Sequence, residues 1–283
     1  MPELPEVEVT ARALCRAIGD GRLAAFHFSG KSLRHPFPKA ALARLQGASV
    51  TSVGRRAKYI LVEFPTGWLA IHLGMSGSIA CHLGHQAQHL GPHDHAWLEF
   101  ENAGGSSVMI VYRDPRRFGS FQWFAKDRVG VGDIGAVLGT GAHGMEPLED
   151  DFSGRKLFEA SRCRGVSVKQ WLMDGKTVVG VGNIYACEAL FDAGIHPMRA
   201  ARAVSLQRYE RLAVAIRKIL AQAIAHGGST IADFRGPDGQ AGRYGQSHRV
   251  YGREGRPCVN CSKSIRRIVQ GQRSTFYCHG CQR

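Results

Sequence analysis

The residues with the clearest chemical potential stand at the start of the chain, where Met1 is followed by Pro2 and Glu3. Removal of Met1 would leave Pro2 with a free secondary amine. Because α-amino groups titrate near roughly pH 8, part of this amine would be nucleophilic at neutral pH. A secondary amine forms a cationic iminium directly with a carbonyl-type carbon. The pair therefore predicts covalent catalysis beside a carboxylate, although Met-Pro starts are also common in proteins without such chemistry.

A second group of potential ligands lies near the other end of the chain and consists of Cys258, Cys261, Cys278 and Cys281. Two CxxC pairs at this separation are typical of a structural zinc site, which folds a segment too small to bury a core of its own. The alternative, two disulfides, is disfavoured because nothing else in the sequence indicates secretion. The sequence thus predicts one structural Zn²⁺, with no ligand position open for a substrate water.

Five histidines between residues 82 and 95 form a further candidate cluster. Their spacing would suit metal binding on a helix, but Gly84, Gly91 and Pro92 favour a loop. We therefore do not predict a second metal site in this segment.

The distribution of charge predicts a polyanionic partner. The 283-residue chain carries a formal net charge of +14, and residues 243–283 contain nine Lys or Arg residues but one acidic residue, Glu254. A basic segment beside a zinc site is typical of nucleic-acid binding. A membrane surface is disfavoured because the sequence has no basic amphipathic helix and no apolar run near about 18 residues. The first 20 residues lack a basic n-region, so we expect a cytoplasmic protein.

A helix and a set of strands are predicted to position the N-terminal group. Apolar residues spaced 4, 3 and 4 apart predict a helix over residues 3–18, whose positive dipole end lies beside Pro2 and Glu3. Short β-rich runs separated by turn residues predict an antiparallel sandwich or barrel over residues 21–124. These runs are 59–64, 68–71, 97–100, 108–112 and 120–124.

The second half of the chain is predicted to be helical. Six glycines within residues 130–144 predict a linker, and no clear βαβ unit surrounds them to support a dinucleotide-binding turn. An apolar stripe predicts a long core helix between Ser205 and Gly227. A shorter helix is predicted to end at Gly194, and residues 235–245 are predicted to form a polar, Gly-rich loop.

Seven motifs, in order along the chain, resemble the bacterial formamidopyrimidine-DNA glycosylase family of base-excision repair enzymes. They are Pro2-Glu-Leu-Pro-Glu-Val-Glu8, Arg55-Arg-Ala-Lys-Tyr59, Ile71-His-Leu-Gly-Met-Ser-Gly77, Asp114-Pro-Arg-Arg-Phe-Gly119, Trp171-Leu-Met-Asp174, Val179-Gly-Val-Gly-Asn-Ile-Tyr185 and the four-cysteine segment. The resemblance implies that the chain removes oxidised purines, namely 8-oxoguanine and formamidopyrimidines, from double-stranded DNA. It further implies abasic-site lyase activity by β,δ-elimination.

The same resemblance implies the domain organisation. Residues 1–129 would form a catalytic β-sandwich that begins with the N-terminal helix, and residues 130–151 a glycine-rich linker. Residues 152–246 would form a helical helix-two-turn-helix domain that binds DNA, and residues 247–283 a zinc finger. We expect a monomer that binds lesion-containing or abasic duplex DNA and one structural zinc ion.

Catalytic roles follow from the resemblance residue by residue. Pro2 would attack C1′ of the damaged nucleotide, and Glu3, with Glu6 nearby, would supply the acid that helps to open the sugar ring. Lys58 would contribute to catalysis and phosphate binding, although alone it would be interpreted as a solvated strand lysine. Arg273 matches the phosphate-binding arginine at the tip of the zinc-finger hairpin.

Extrusion of the damaged nucleotide requires side chains that fill its vacated place in the base stack. Met75 lies at a Gly-flanked turn, and Arg116 and Phe118 lie on a second loop after residues 114–115. Together they supply an apolar wedge and a guanidinium. Core packing is the alternative for Met75 and Phe118, and their positions at turns disfavour it.

Four further residues are predicted DNA contacts. Asn183 follows Gly182 at a helix start, where free N–H groups can bind phosphate. The alternative interpretation is that Asn183 is a simple N-cap of this helix. His72 and His93 lie within motifs of the family. Arg164 stands where many relatives carry a lysine-rich run, so that this contact is either supplied by Arg164 or missing.

Two other functions remain open at the level of the sequence. Endonuclease VIII shares the Pro-Glu start, the lysine and the zinc finger but prefers oxidised pyrimidines. The Pro-Glu-Leu-Pro start and the set of Met75, Arg116 and Phe118 favour the purine enzyme. A non-catalytic zinc-dependent DNA-binding module would be indicated by loss of Pro2, Glu3 or Lys58, and all three residues are present.

Overall fold

The structure is a computed structural model that describes residues 1–84, 91–102, 104–127, 138, 144–229, 236 and 242–283. The chain divides into two compact units, Met1–Ile134 with His226–Arg243, and Gly135–Ala225 with Tyr244–Arg283. Most of the predicted linker 130–151 and of the predicted loop 235–245 lies outside the described residues. The division into four parts at 129, 151 and 246 stays a prediction.

The first unit begins with a helix and continues with two antiparallel four-stranded sheets. Its elements are α1 (Leu4–Ile18), β1 (Arg22–Phe28), α2 (Lys39–Leu45), β2 (Ser52–Arg56), β3 (Tyr59–Phe64), β4 (Gly67–His72), β5 (Ser78–Leu83), β6 (Asp94–Glu101), β7 (Ser107–Arg113) and β8 (Ser120–Ala125). The strand orders are β1-β6-β7-β5 and β2-β3-β4-β8. Buried side chains of both sheets, such as Ile60 and Ile110, belong to one core with Leu14 of α1. The predicted antiparallel sandwich with an N-terminal helix is confirmed.

Helix α1 forms where the sequence supplies both an apolar face and a start signal. Its buried face includes Val7 and Leu14. Its first turn carries Pro5, which has no N–H group, but the N–H groups of a first turn have no intrahelical acceptor in any case. Glu3 and Glu6 form a capping box, and the helix ends at Gly19, whose φ of 58° suits glycine. The start of α1 is therefore fixed by the residues that the sequence had marked for chemistry.

The prediction of strands throughout residues 21–124 is wrong for Lys39–Leu45, which forms α2. This Ala- and Leu-rich segment follows Pro38 and buries Leu42 and Leu45. Strands β1, β2 and β5 were not among the predicted runs. Strand β2 contains Gly54 and two arginines and is at most half-buried, so it lacks the apolar alternation that marks a strand.

The second unit contains four α-helices and a hairpin among its described residues. They are α3 (Gly154–Ser161), α4 (Val168–Leu172), α5 (Asn183–Asp192), α6 (Leu206–Ala225), β9 (Arg266–Gln270) and β10 (Arg273–Tyr277). The predicted long core helix is α6, which packs against α3 and α5. A Cβ at Gly154 would overlap the backbone of Glu210, so glycine allows α3 and α6 to approach closely.

In the described part of the chain, no helix combines the length and the apolar character that a membrane span requires.

Candidate active site and nucleic-acid interface

The start of α1 brings three of the predicted catalytic residues together. Pro2, Glu3 and Glu6 are buried, and the backbone N–H of Glu3 donates to Glu6 Oε2 at 2.8 Å. Glu6 Oε1 accepts a second hydrogen bond from the backbone N–H of Ser229 at 2.7 Å. Glu6 thus fixes the backbone beside Pro2 and also holds the segment that follows α6. Pro2 stands at the positive end of the α1 dipole, where the field disfavours a protonated amine.

Lys58 lies in the turn between β2 and β3. Arg55 connects this turn to α1, and the sequence had identified Arg55 only as part of a motif. Arg55 donates to the carbonyl of Ala57 at 3.0 Å and to Glu8 Oε2 at 2.8 Å. Burial acts to raise the pKa of Glu8, but hydrogen bonds from Arg55 and Arg12 outweigh it and hold that pKa below its usual range. The turn that carries Lys58 is therefore tied to the helix that begins at Glu3.

His72 ends β4 and is held as a neutral hydrogen-bond donor. The backbone N–H of Gly74 donates to Nδ1 at 3.0 Å, which leaves the proton on Nε2. Burial, together with the positive charges of Lys58 and Arg34, lowers the pKa of His72 to about 4. A neutral imidazole that presents Nε2–H can donate to a phosphate oxygen. Arg34 was not predicted to lie at the site. It belongs to none of the motifs, and an isolated arginine before His35 has no feature in the sequence that could have identified it.

Met75, Arg116 and Phe118 lie on two adjacent loops. Met75 is 43% exposed and Phe118 is 45% exposed, which disfavours the core-packing interpretation for both. The guanidinium carbon of Arg116 lies 4.8 Å from the centroid of the Phe118 ring. The loops touch where Gly74, with a φ of 69°, would place a Cβ 2.5 Å from the backbone of Phe118. The structure therefore brings the three side chains to one exposed place.

His93 is half-buried, and its carbonyl accepts from the backbone N–H of Asp114 at 3.0 Å, at the base of the loop that carries Arg116. His95 is buried, with Nε2 3.1 Å from the carbonyl of Asp114 and Nδ1 3.1 Å from Ser29 Oγ. These two histidines therefore support the loop from below. His85 and His89 of the same sequence cluster lie outside the described residues.

Asn183 is the first residue of α5, and the N-cap is Gly182, so the simple N-cap interpretation of Asn183 is wrong. Its side-chain amide donates to the carbonyl of Ser274 at 2.9 Å, and its Oδ1 accepts from Lys169 Nζ at 2.5 Å. Ser274 adjoins Arg273, the exposed first residue of β10. One side chain thus connects the helix start to the hairpin that carries the predicted phosphate-binding arginine.

Lys169, on α4, is a buried cation that the sequence analysis missed. It is 1% exposed, and its Nζ also donates to Thr275 Oγ1 at 2.6 Å. A buried ammonium is stable only when oxygens surround it. The one local signal is its position in a short helix between the apolar residues Val168 and Trp171.

Arg164 is exposed in the connection between α3 and α4. Its backbone N–H donates to the carbonyl of Ser161 at 2.9 Å, and its carbonyl accepts from the backbone N–H of Arg202 at 3.0 Å. These bonds leave the guanidinium on the surface of the second unit.

The four predicted zinc ligands form one cluster, with their sulfur atoms within 4.8 Å of one another. Cys258 Sγ lies 3.8 Å from Cys281 Sγ, and Cys261 Sγ lies 3.4 Å from Cys278 Sγ. Zn–S bonds of about 2.3 Å in tetrahedral geometry place sulfur atoms about 3.8 Å apart, so the cluster fits one zinc ion. The predicted structural zinc site is confirmed.

Comparison with known proteins adds family matches to this geometry. Residues 1–121 match the formamidopyrimidine-DNA glycosylase N-terminal domain, residues 143–235 match its H2TH domain, and residues 255–283 match the zinc finger found in FPG and IleRS. The formamidopyrimidine-DNA glycosylases of Herminiimonas arsenicoxydans and Burkholderia thailandensis are 48% and 46% identical to the chain. Each alignment covers 100% of both sequences.

Solved structures give the same picture. The crystal structure of the MutM (FPG) protein from Thermus thermophilus superposes with a TM-score of 0.83 at 34% identity, over 99% of this chain and 98% of that one. The Lactococcus lactis Fpg (MutM) in complex with DNA containing N7-benzyl-Fapy-dG superposes with a TM-score of 0.86 at 29% identity, over 99% of both chains. A MutM complex with DNA containing carbocyclic 8-oxo-G has the same TM-score, identity and coverage.

Proposed function

The chain belongs to the formamidopyrimidine-DNA glycosylase family, and we propose that it removes oxidised purines from duplex DNA and then cleaves the resulting abasic site. The observation that carries this proposal is the match to relatives along the full length of the chain. The substrates are 8-oxoguanine and formamidopyrimidines, in keeping with the related structures that hold 8-oxo-G or Fapy-dG DNA.

Pro2 is the nucleophile of this proposal, once Met1 has been removed. Its amine attacks C1′ of the damaged nucleotide, and the bond from C1′ to the base breaks with its electron pair leaving on the base. The proton that the amine loses neutralises the departing base. Glu3 protonates the ring oxygen of the sugar, so that the ring opens and an iminium joins C1′ to Pro2. The capping box supports this assignment because it fixes Pro2 and Glu3 against Glu6.

Strand cleavage follows from the same iminium. The positive nitrogen acidifies the C2′–H, and loss of that proton expels the 3′ phosphate. A second elimination expels the 5′ phosphate and leaves a one-nucleotide gap. Lys58 binds phosphate near these steps, and the positive charges of Lys58 and Arg34 beside the neutral donor His72 support the assignment.

Phosphate contacts complete the proposed interface in each unit. His72 offers a neutral Nε2–H donor in the first unit, with His93 as a further contact. In the second unit, Asn183 and Arg273 act as a pair through Ser274, and Arg164 adds a charged contact. The zinc ion holds the finger and takes no part in the chemistry, since four cysteines occupy its ligand positions.

Met75, Arg116 and Phe118 fill the place that the extruded nucleotide leaves. The cation–π contact between Arg116 and Phe118 orients the guanidinium, which has donors only. Cytosine exposes two acceptors, O2 and N3, whereas adenine places an N6 donor beside its N1 acceptor. The site therefore favours cytosine as the base opposite the lesion. We further propose that the protein acts as a monomer in the cytoplasm, on nucleoid DNA.

The test is excision from three duplexes that carry 8-oxoguanine opposite cytosine, 8-oxoguanine opposite adenine, or thymine glycol. We expect the first to be processed roughly 5- to 150-fold faster than the second, because a polar base contact discriminates by about 1–3 kcal/mol. Arg116→Ala should remove this preference. Arg117→Ala is the matched control, because the Arg117 guanidinium faces the carbonyl of Ser32. Faster removal of thymine glycol would favour the endonuclease VIII branch instead.

A further inference from the structure

The carboxylate of Asp114 lies in the first unit, is 0% exposed, and accepts four hydrogen bonds. Oδ1 accepts from Ser76 Oγ at 2.7 Å and from the backbone N–H of Arg116 at 3.2 Å. Oδ2 accepts from the Tyr112 hydroxyl at 3.0 Å and from the backbone N–H of Gly119 at 2.9 Å. Hydrogen bonds to a charged acceptor are about twice as strong as those between neutral groups. The carboxylate of Asp114 therefore holds its four donors firmly in place.

The four donors come from three pieces of the chain. Ser76 follows Met75 in its turn, and the N–H groups of Arg116 and Gly119 belong to the second loop. Tyr112 lies in β7 and packs edge-on against Phe121 of β8. One carboxylate therefore joins the turn that carries Met75 to the loop that carries Arg116 and Phe118, and it anchors both to strand β7 of the sandwich.

These loops have no regular ladder to satisfy their backbone groups, and buried or half-buried N–H groups require acceptors. Arg117, between Arg116 and Phe118, adopts a φ of 55°, a left-handed conformation that is unfavourable for a residue with a Cβ. A Cβ at Gly119 would overlap the Tyr112 hydroxyl. The loop thus holds a strained and tightly fitted backbone, and such a backbone persists only where its surroundings fix it.

We propose that Asp114 is a positioning residue that holds Met75, Arg116 and Phe118 as one rigid unit, so that the three side chains enter the DNA stack together. This rests on the function proposed above. Insertion must repay the unstacking of a base. Loops already fixed in the inserted arrangement lose little conformational freedom at that step, whereas loose loops would lose more.

Asp114→Asn tests the proposal with a side chain of nearly the same size. An amide presents an oxygen and an NH₂ group, so that in either orientation one backbone N–H faces another donor and one hydroxyl must turn round to accept. We expect single-turnover excision of 8-oxoguanine opposite cytosine to fall roughly 10- to 100-fold, in proportion to charged hydrogen bonds lost. Cleavage of a preformed abasic site requires less extrusion. The decrease in its rate should therefore be smaller than the decrease in the excision rate, by a factor of at least about ten.

A second variant keeps the test valid if Asp114→Asn folds poorly. Ser76→Ala removes one donor from the turn that carries Met75 and leaves the carboxylate in place. Its excision rate should fall about 3- to 10-fold, again more than its abasic-site cleavage. Glu188→Gln is the matched control, since Glu188 is a buried carboxylate that accepts from the backbone N–H groups of residues 249–251. Its two activities should fall in parallel.

A combination of variants separates positioning from general stability. In a chain with Met75→Ala, Arg116→Ala and Phe118→Ala, adding Asp114→Asn should change excision by less than about twofold, because the positioned side chains are gone. Equal losses of excision and abasic-site cleavage in Asp114→Asn, or an undiminished further loss in the triple variant, would overturn the proposal. Failure of the unaltered protein to excise 8-oxoguanine would instead contradict the proposed function itself.

Discussion

Two buried charges of opposite sign organise the two units, and each supports residues that we assign to DNA. In the first unit Asp114 collects O–H and N–H donors from two loops. In the second unit Lys169 donates to Asn183 Oδ1 at 2.5 Å, Thr275 Oγ1 at 2.6 Å and the Ser274 carbonyl at 3.4 Å. The sign of each charge matches the groups that surround it, which are donors around Asp114 and oxygens around Lys169.

The contrast shows how irregular structure is made rigid. Loops that turn tightly point several N–H groups inward and need an acceptor, whereas the side chains of Asn183 and Thr275 bring oxygens together and need a donor. The two regions differ in a second respect, because β10 ends at Tyr277 and is followed directly by the zinc ligand Cys278. The hairpin therefore has two anchors, a metal and a lysine, whereas one carboxylate joins the turn that carries Met75 to the loop that carries Arg116.

The largest effect should come from removing the metal anchor. Cys258→Ser and Cys281→Ser should abolish zinc binding, unfold the finger and weaken duplex affinity more than about 100-fold, since metal binding supplies the folding free energy of such segments. The first unit should stay folded. Zinc content, circular dichroism and fluorescence anisotropy with labelled duplex measure these outcomes.

Cys163→Ser is the control for this change, because Cys163 is exposed and outside the cluster. Retained zinc and unaltered duplex affinity in both ligand variants would mean that the finger does not serve DNA binding.

A smaller loss is expected from the second anchor. Lys169→Met keeps the length of the side chain but leaves oxygens of Asn183 and Thr275 without their donor, at about 1.5–3 kcal/mol of unfolding free energy. Duplex affinity should fall roughly tenfold, measured by anisotropy on protein shown to be folded and to hold zinc.

Lys156→Met is the matched control, since Lys156 is a surface lysine paired with Asp151. If Lys169→Met lowered the melting temperature and left duplex affinity intact, the lysine would hold the hairpin without orienting Asn183.

Arg273→Ala should have a milder effect that is recognisable by its salt dependence. Loss of one phosphate contact should reduce the slope of log affinity against log salt concentration by about 0.9. Arg267→Ala in the same hairpin is the comparison, because Arg267 donates to Ser274 Oγ at 3.0 Å and lies 3.6 Å from Glu254. An equal decrease in slope for both variants would make the hairpin a diffuse basic surface.

The smallest effect concerns the protonation of His72. Its pKa is lowered from 6.5 to about 4 in the folded chain, chiefly by burial and also by Lys58 and Arg34. As the pH falls, the imidazole of His72 is protonated in the unfolded chain before it is protonated in the folded chain. The contribution of neutral His72 to the free energy of unfolding is therefore present above pH 6.5 and is lost as the pH falls towards 4. Titration of the imidazole by nuclear magnetic resonance should show an Nε2–H tautomer down to about pH 5. A midpoint near the ordinary histidine value would contradict the neutral donor.

Local patterns allowed much of this structure to be predicted. The apolar spacing of α1, the stripe of α6 and the paired CxxC motifs lie within short windows, so periodicity and spacing identify them. The two buried charges escaped prediction because each of them joins segments that are distant in the sequence. Ser76 is 38 residues from Asp114, and Thr275 is 106 residues from Lys169. Helix α2 was missed because a seven-residue segment is too short for a clear helical period.

The central claim is that Pro2 forms a covalent iminium with the damaged nucleotide. Borohydride added during reaction with an 8-oxoguanine duplex should trap a protein–DNA adduct, and peptide mass spectrometry should place the attachment on the N-terminal proline. A chain that retains Met1 should give no adduct, since its proline nitrogen is an amide. An adduct attached only to Lys58, or full trapping with Met1 in place, would contradict the account.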